Sequence, residues 1–178
     1  YSFQGIKDPL FEGLILQYLK KANKDKQYHF HIITHEQYLA SKEEEQNFIN
    51  SLGDYNIHWY PVPYKNGRFL LLKKALNFLH SLWLAWTIKR KFKAKVIFGY
   101  LTIAGAFSYI ISKVLNLKLI IYCFEPHSDY MVDFGSWSAK SLKYKLLNGF
   151  EKLEAKDCDY LLVPTSHTYD LVQSWKPR

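Results

Sequence analysis

The segment Leu117–Phe124 is apolar almost without interruption, with Lys118 as its single charge. A strand of this pattern presents apolar side chains on both faces, as at the centre of a parallel sheet covered on each side by helices. Such a sheet needs helical crossovers between its strands, and the rest of the chain supplies them.

Asp8 ahead of Pro9 is cap chemistry for a helix start, and Phe11, Leu14, Ile15, Tyr18, Leu19 and Ala22 follow at helical spacing. His29–Thr34 reads as a strand. Ser41–Leu52 reads as a polar helix closed by Gly53. Ile57–Tyr64 is the next strand, ended by Pro61 and Pro63, and Leu70–Lys91 is a long apolar helix. Ala94–Tyr100 is a strand and Thr102–Asn116 a helix. After the apolar strand comes a polar loop, Glu125–Ser136, then a helix over Ser138–Asp157 with Leu142, Leu146, Phe150 and Leu153 on one face. Tyr160–Pro164 is a short strand and Ser166–Ser174 a helix. This alternation predicts an α/β fold, a Rossmann-like doubly wound, mostly parallel sheet in a three-layer α/β/α sandwich.

The 178 residues suffice for one well-buried domain. Nearly half are apolar and 17% aromatic, which excludes a disordered chain. With no methionine or leader ahead of Tyr1, the sequence reads as an excised fragment. Cys123 and Cys158 lack CxxC spacing, so buried thiols in a reducing, cytoplasmic setting are expected rather than a disulfide. The net charge of +8 asks for an anionic partner without naming it. No nucleic-acid motif is present and the basic residues are spread over several elements, so nucleic acid is not expected.

Ligands of open α/β sheets bind outside the carboxyl ends of the strands, where helix N-termini also attract anions. The residues at those ends are Gln4 and Gly5, Thr34–Glu36, Gly99–Thr102, Glu125–Asp129 and Thr165–His167. Glu125, His127, Ser128 and Asp129 place carboxylates, an imidazole and a hydroxyl directly after the apolar strand, a set suited to holding a hydroxyl-rich molecule and moving a proton. Pro126 pushes Glu125 toward extended backbone. Glu125 and His127 are the only candidates for chemistry. A binding role for an acceptor or a phosphate falls to these four and to Gly5, Asp8, Gly99, Tyr100, Thr165 and Ser166. Gly99 admits either a ligand or a neighbouring backbone at close range.

GxGxxG, a Walker lysine, HExxH and GxSxG are all missing, which disfavours dinucleotide oxidoreductases, P-loop enzymes, zincins and serine hydrolases. His29 and His31 share a strand face, but they lack metal-ligand spacing and no metal is expected.

Val96–Tyr100 followed by Thr102-Ile103-Ala104-Gly105-Ala106, the strand and acidic exit Leu119–Asp133, and the helix-to-turn stretch Glu151–Ser166 succeed one another at set separations. In Glu151–Ser166, Glu151, Glu154, Ala155, Asp157 and Asp159 precede the turn Thr165-Ser166. This succession resembles the N-terminal domain of family 4-like glycosyltransferases, which have the GT-B fold. It is closest over Lys95–Ser174 and weaker over Gly5–Thr34. The resemblance implies that residues 1–178 form the acceptor-binding lobe, holding a glycan or a lipid-linked acceptor. A C-terminal lobe, not in this sequence, would bind the nucleotide-sugar donor, and no other cofactor is implied. Retention of anomeric configuration is implied as well. The chain departs from the family in having Asp8-Pro9-Leu10 where paired glycines are common. It also has Glu125 ahead of His127 where a histidine commonly ends the strand. The rival reading is a non-catalytic Rossmann-like or flavodoxin-like domain binding a small anionic ligand.

The helix region Ala75–Lys95 carries Trp83 and Trp86 and ends in Lys89, Arg90, Lys91, Lys93 and Lys95. It is too short in its apolar run to span a bilayer. It suits either an anionic membrane surface, at the inner face of the cytoplasmic membrane, or a buried helix covering the sheet.

Overall fold

The computed structural model describes residues 1–36, 41–64, 70–123 and 126–175. The chain divides into two compact units, Ser2–Lys91 and Phe92–Arg178, the latter including Tyr1. Every strand pairing among the described residues is parallel, and helices alternate with strands in both units. The fold is therefore α/β and Rossmann-like, as the apolar strand and the alternation around it predict.

In the first unit, a π-helical segment Phe11–Leu16 runs into α1, Gln17–Ala22. The predicted α-helical stripe is corrected here. A π-turn brings residues five apart onto one side, so Phe11 and Leu16 are the buried pair, while Leu14 and Tyr18 are exposed. Strand β1, Phe30–Glu36, pairs with β2, Ile57–Pro63. Here too the expectation shifts, because Pro61 lies within the strand, opposite Thr34, rather than ending it. In the described pairing β2 has β1 alone as neighbour, so the missing proline N–H costs no ladder bond on its other side. Between these strands α2, Lys42–Gly53, starts at a capping box in which Ser41 accepts from the Glu44 N–H and the Glu44 carboxylate returns the bond. Helix α3, Leu70–Phe92, closes the unit.

In the second unit the sheet order is β3, β4, β5 (Val96–Tyr100, Lys118–Tyr122, Tyr160–Leu162). β4 is central, and Leu119, Ile121 and Cys123 form a core packed by Ile97, Tyr109, Cys158, Leu161 and Val163. Both cysteines are free thiols. Helix α4, Thr102–Leu115, buries small side chains (Ala104, Gly105, Ala106, Ser108). That face lets the helix lie very close to β3. A Cβ on Gly99 would stand 2.9 Å from the Ser108 Oγ and 3.0 Å from the Gly105 Cα. The glycine at 99 thus serves the close approach of a neighbouring backbone. Gly99→Ala is expected to destabilise the unit by about 1–3 kcal/mol, as overpacking of a dense core does; a urea midpoint equal to wild type would refute the close-approach reading.

The predicted polar loop Glu125–Ser136 is corrected within its described part: His127–Asp133 is a short helix, α5. Its seven residues have no apolar period, and what holds it is tertiary. Helix α6, Leu142–Asp157, starts with Ser141 as its cap, accepting from the Tyr144 N–H. Its predicted apolar stripe turns outward. Leu142, Leu146 and Leu153 are exposed, and the buried face is Asn148, Glu151, Glu154 and Ala155. Helix α7, Ser166–Ser174, is capped by Thr165. Among the described residues no helix is long and apolar enough to cross a membrane.

Candidate functional site

The inward polar face of α6 explains how α5 is placed. Glu151 lies buried beneath the start of α5 and accepts the Ser128 N–H at 3.0 Å and, through a very short bond, the Ser128 hydroxyl. Asn148 donates to the Ser128 Oγ at 3.1 Å and to the Asp129 Oδ1 at 3.4 Å, and the Tyr144 hydroxyl donates to that same oxygen at 2.9 Å. Burial raises the Glu151 pKa, opposed by its bonds from Ser128. Three residues spaced along α6, Tyr144, Asn148 and Glu151, thus grip the start of α5.

The His127 side chain is left outside this network. Its ring is half-buried, meets the Trp137 ring edge-on at 5.7 Å, and has no hydrogen-bond partner among the described residues. Burial lowers its pKa, so the imidazole is neutral at neutral pH and offers an unprotonated ring nitrogen. Lys143 lies 5.6 Å over the Trp137 ring on the same side of the unit. A neutral imidazole on a rigid mount, at the exit of the central strand, can accept a proton from a hydroxyl.

The other sequence-derived candidates divide sharply. Ser128 is fully buried and its hydroxyl is committed to Glu151, so it anchors rather than faces a ligand. Asp129 is held by Tyr144 and Asn148. Gly99 and Tyr100 are buried, with Tyr100 stacked on Tyr122 at 5.6 Å. Thr165 spends its Oγ on the Thr168 N–H, whereas Ser166 and His167 are exposed at the start of α7. Glu125 lies outside the described residues. In the first unit, Asp8 accepts from the N–H groups of Leu10 and Phe11, a helix cap.

Glu36, one of the strand-end residues, closes on the first loop. The Glu36 carboxylate accepts the Ile6 N–H at 2.8 Å and the Thr34 hydroxyl at 2.5 Å, and Trp59 donates to the Thr34 Oγ at 2.7 Å. A Cβ on Gly5 would be 2.6 Å from the Glu36 Oε2. The place where a phosphate would sit in a nucleotide-binding Rossmann loop is filled by the protein's own carboxylate, as Glu151 fills the start of α5. A carboxylate at the end of β1, two residues after a threonine, was the available signal.

In the second unit, Leu101 adds strain at the exit of β3. It joins β3 to α4 at φ 66° and ψ 166°, a region that side chains other than glycine avoid. Its N–H donates to the Tyr122 carbonyl at 3.0 Å and its carbonyl accepts from the Gly105 N–H at 2.7 Å, which hold it there.

His29, His31 and His58 form a stack on one face of the β1/β2 pair, at ring distances of 5.9 Å (His29 to His58) and 4.8 Å (His31 to His58). The His31 Nδ1 lies 3.0 Å from the Tyr60 hydroxyl. Stacked rings do not converge on a point, and among the described residues no group of three or more His, Cys, Asp or Glu is placed to hold a metal ion.

Compared with known protein families and with the curated proteins, the chain matches none.

Proposed function

We propose that this chain is the acceptor-binding lobe of a GT-B sugar transferase of the family 4-like type, working with a second lobe that binds the nucleotide-sugar. The observation that carries the reading is His127. Its neutral ring stands at the exit of the central strand, on a helix anchored from below by Glu151. In this role it accepts the proton of the acceptor hydroxyl as that oxygen bonds to the sugar's anomeric carbon and the bond from that carbon to the donor's phosphate breaks, releasing the nucleoside diphosphate to the second lobe. Ser166 and the exposed start of α7 supply further polar contacts to a glycan. The filled anion cradles support the same division of labour. With Glu36 on the Ile6 N–H and Glu151 on the Ser128 N–H, neither place is free for the donor's phosphates. That occupancy weighs against the first loop as the site of the rival reading, a non-catalytic domain binding a small anionic ligand.

The test uses a protein carrying both lobes. His127→Ala is expected to lower kcat for sugar transfer by about a hundredfold, the usual scale for losing a positioned base, with nucleotide-sugar affinity unchanged. Because burial lowers the His127 pKa, transfer should persist into mildly acidic buffer before protonation of the ring stops it. Full transfer by both His127→Ala and Glu125→Gln would sink the proposal. So would a thermal shift of the chain with flavins or nucleotides and none with glycans.

A further inference from the structure

Helix α3 is apolar on two opposite faces. Ser81, Ala85 and Ile88 are buried, while Leu72, Leu76, Leu79, Trp83 and Trp86 are each between 42% and 61% exposed. The exposed five recur at steps of four, three, four and three residues. At 3.6 residues per turn they make a straight stripe about 80° wide and about 21 Å long. A soluble helix ordinarily turns charge to this side. An apolar stripe of this length in water calls for an occupant.

The charges around the stripe identify that occupant's chemistry. The helix contains Lys73, Lys74, Lys89, Arg90 and Lys91 and no acidic residue at all. By helical spacing Lys73 and Lys91 flank one side of the stripe and Lys89 the other, and Arg90 continues its line, with its guanidinium 4.9 Å over the Trp86 ring. Leucines along the first half of the stripe, tryptophans along the second and cations at the margins suit a helix lying flat at a lipid–water boundary. There apolar side chains enter the acyl region and indole rings and cations sit at headgroup level. A protein partner matched to so one-sided a charge would need an acidic rim around an apolar groove. An anionic bilayer supplies both features everywhere on its surface.

We infer that the outer face of α3 docks the protein on anionic lipid bilayers. This goes beyond the proposed sugar transfer and does not depend on it, since vesicle binding is measured without substrate. The full chain is sedimented with vesicles of phosphatidylcholine alone and of phosphatidylcholine mixed with phosphatidylglycerol. Binding to the mixed vesicles is expected, falling as salt rises, with little to phosphatidylcholine alone. Leu79→Gln/Trp83→Gln/Trp86→Gln should weaken binding by about tenfold or more while leaving the circular dichroism spectrum and thermal midpoint unchanged, because these side chains are already exposed. Arg90→Glu, a milder change for folding, should weaken binding to the mixed vesicles by about tenfold. Equal binding by wild type and both variants would overturn the inference. It would equally be overturned by a wild type that ignores vesicles and instead forms a dimer that the triple substitution breaks.

Discussion

Replacing Glu151 by alanine is expected to destabilise the second unit by about 3–5 kcal/mol. The side chain is 2% exposed and accepts two bonds from Ser128, one from the backbone and one from the hydroxyl. Alanine leaves both donors buried without an acceptor, at about 1–3 kcal/mol each, and opens a void beside them. Asn148 loses the fixed hydroxyl it donates to, so the damage spreads along the network to Asp129 and Tyr144. Glu151→Gln keeps one oxygen for the Ser128 N–H and should cost about 1 kcal/mol. The measurement is urea unfolding of the three proteins at neutral pH. A loss below about 1 kcal/mol for alanine would mean that α5 does not depend on Glu151. In the two-lobe protein, alanine should also impair transfer through displacement of His127, and glutamine should largely rescue it. A glutamine rescue of stability without a rescue of transfer would separate the anchor from the site.

The α/β class could be read from the sequence because it rests on periodicity, which burial enforces residue by residue. The unbroken apolar run at Leu119–Cys123 is found at the centre of its sheet, and Ser41 with Glu44 announces α2 through local chemistry alone. Periodicity failed where long-range polar contacts decide the outcome. The leucines of α6 suggested a buried stripe, yet Asn148, Glu151 and Glu154 are the residues turned inward, because α5 and the small face of α4 supply partners and room for them. The same network makes a helix of His127–Asp133, whose own residues show no helical pattern. Pro61 looked like a strand end because a proline gives up a donor, but on β2 that donor has no described partner to lose. At the candidate site, the strand-end rule found His127 and the acidic residues around it. It did not distinguish side chains that face outward from those, like Ser128, that hold the scaffold, since both are polar and adjacent in sequence. Glu36 stood among the strand-end residues but not among the binding candidates for a related reason: a carboxylate filling an anion cradle reads, in sequence, like any loop acid.

Glu154→Gln should make the protein more stable than wild type, by a margin that widens as pH rises. Glu154 is 3% exposed, its Oε2 has no hydrogen-bond partner among the described residues, and it lies against the backbone of α4, where a Cβ on Gly105 would be only 2.5 Å from that oxygen. Burial, reinforced by the neighbouring Glu151, pushes its pKa from 4.5 to about 9. In the unfolded chain the carboxyl releases its proton near 4.5, while in the folded chain it keeps the proton until about 9. Between those values the folded state holds more protons than the unfolded state, so stability declines with rising pH. The contribution is whole below pH 4.5 and gone above 9. Glutamine does not titrate, so the gap between variant and wild type should grow by about 1.4 kcal/mol per pH unit across this window. The second amide donor adds a fixed offset, which leaves the slope as the readout. His31 and His35 act in the opposite direction at lower pH. Burial lowers both to about 4 from 6.5, so the unfolded state binds more protons between those values and stability rises with pH there in both proteins. Wild type should therefore be most stable in mildly acidic to neutral buffer and weaken on the alkaline side, and the variant should lose most of that alkaline decline. Urea titrations at pH 5, 7 and 9 decide the matter: parallel curves would show that Glu154 is ionised in the fold, and that the inward face of α6 carries its charge to water by a path the geometry does not contain.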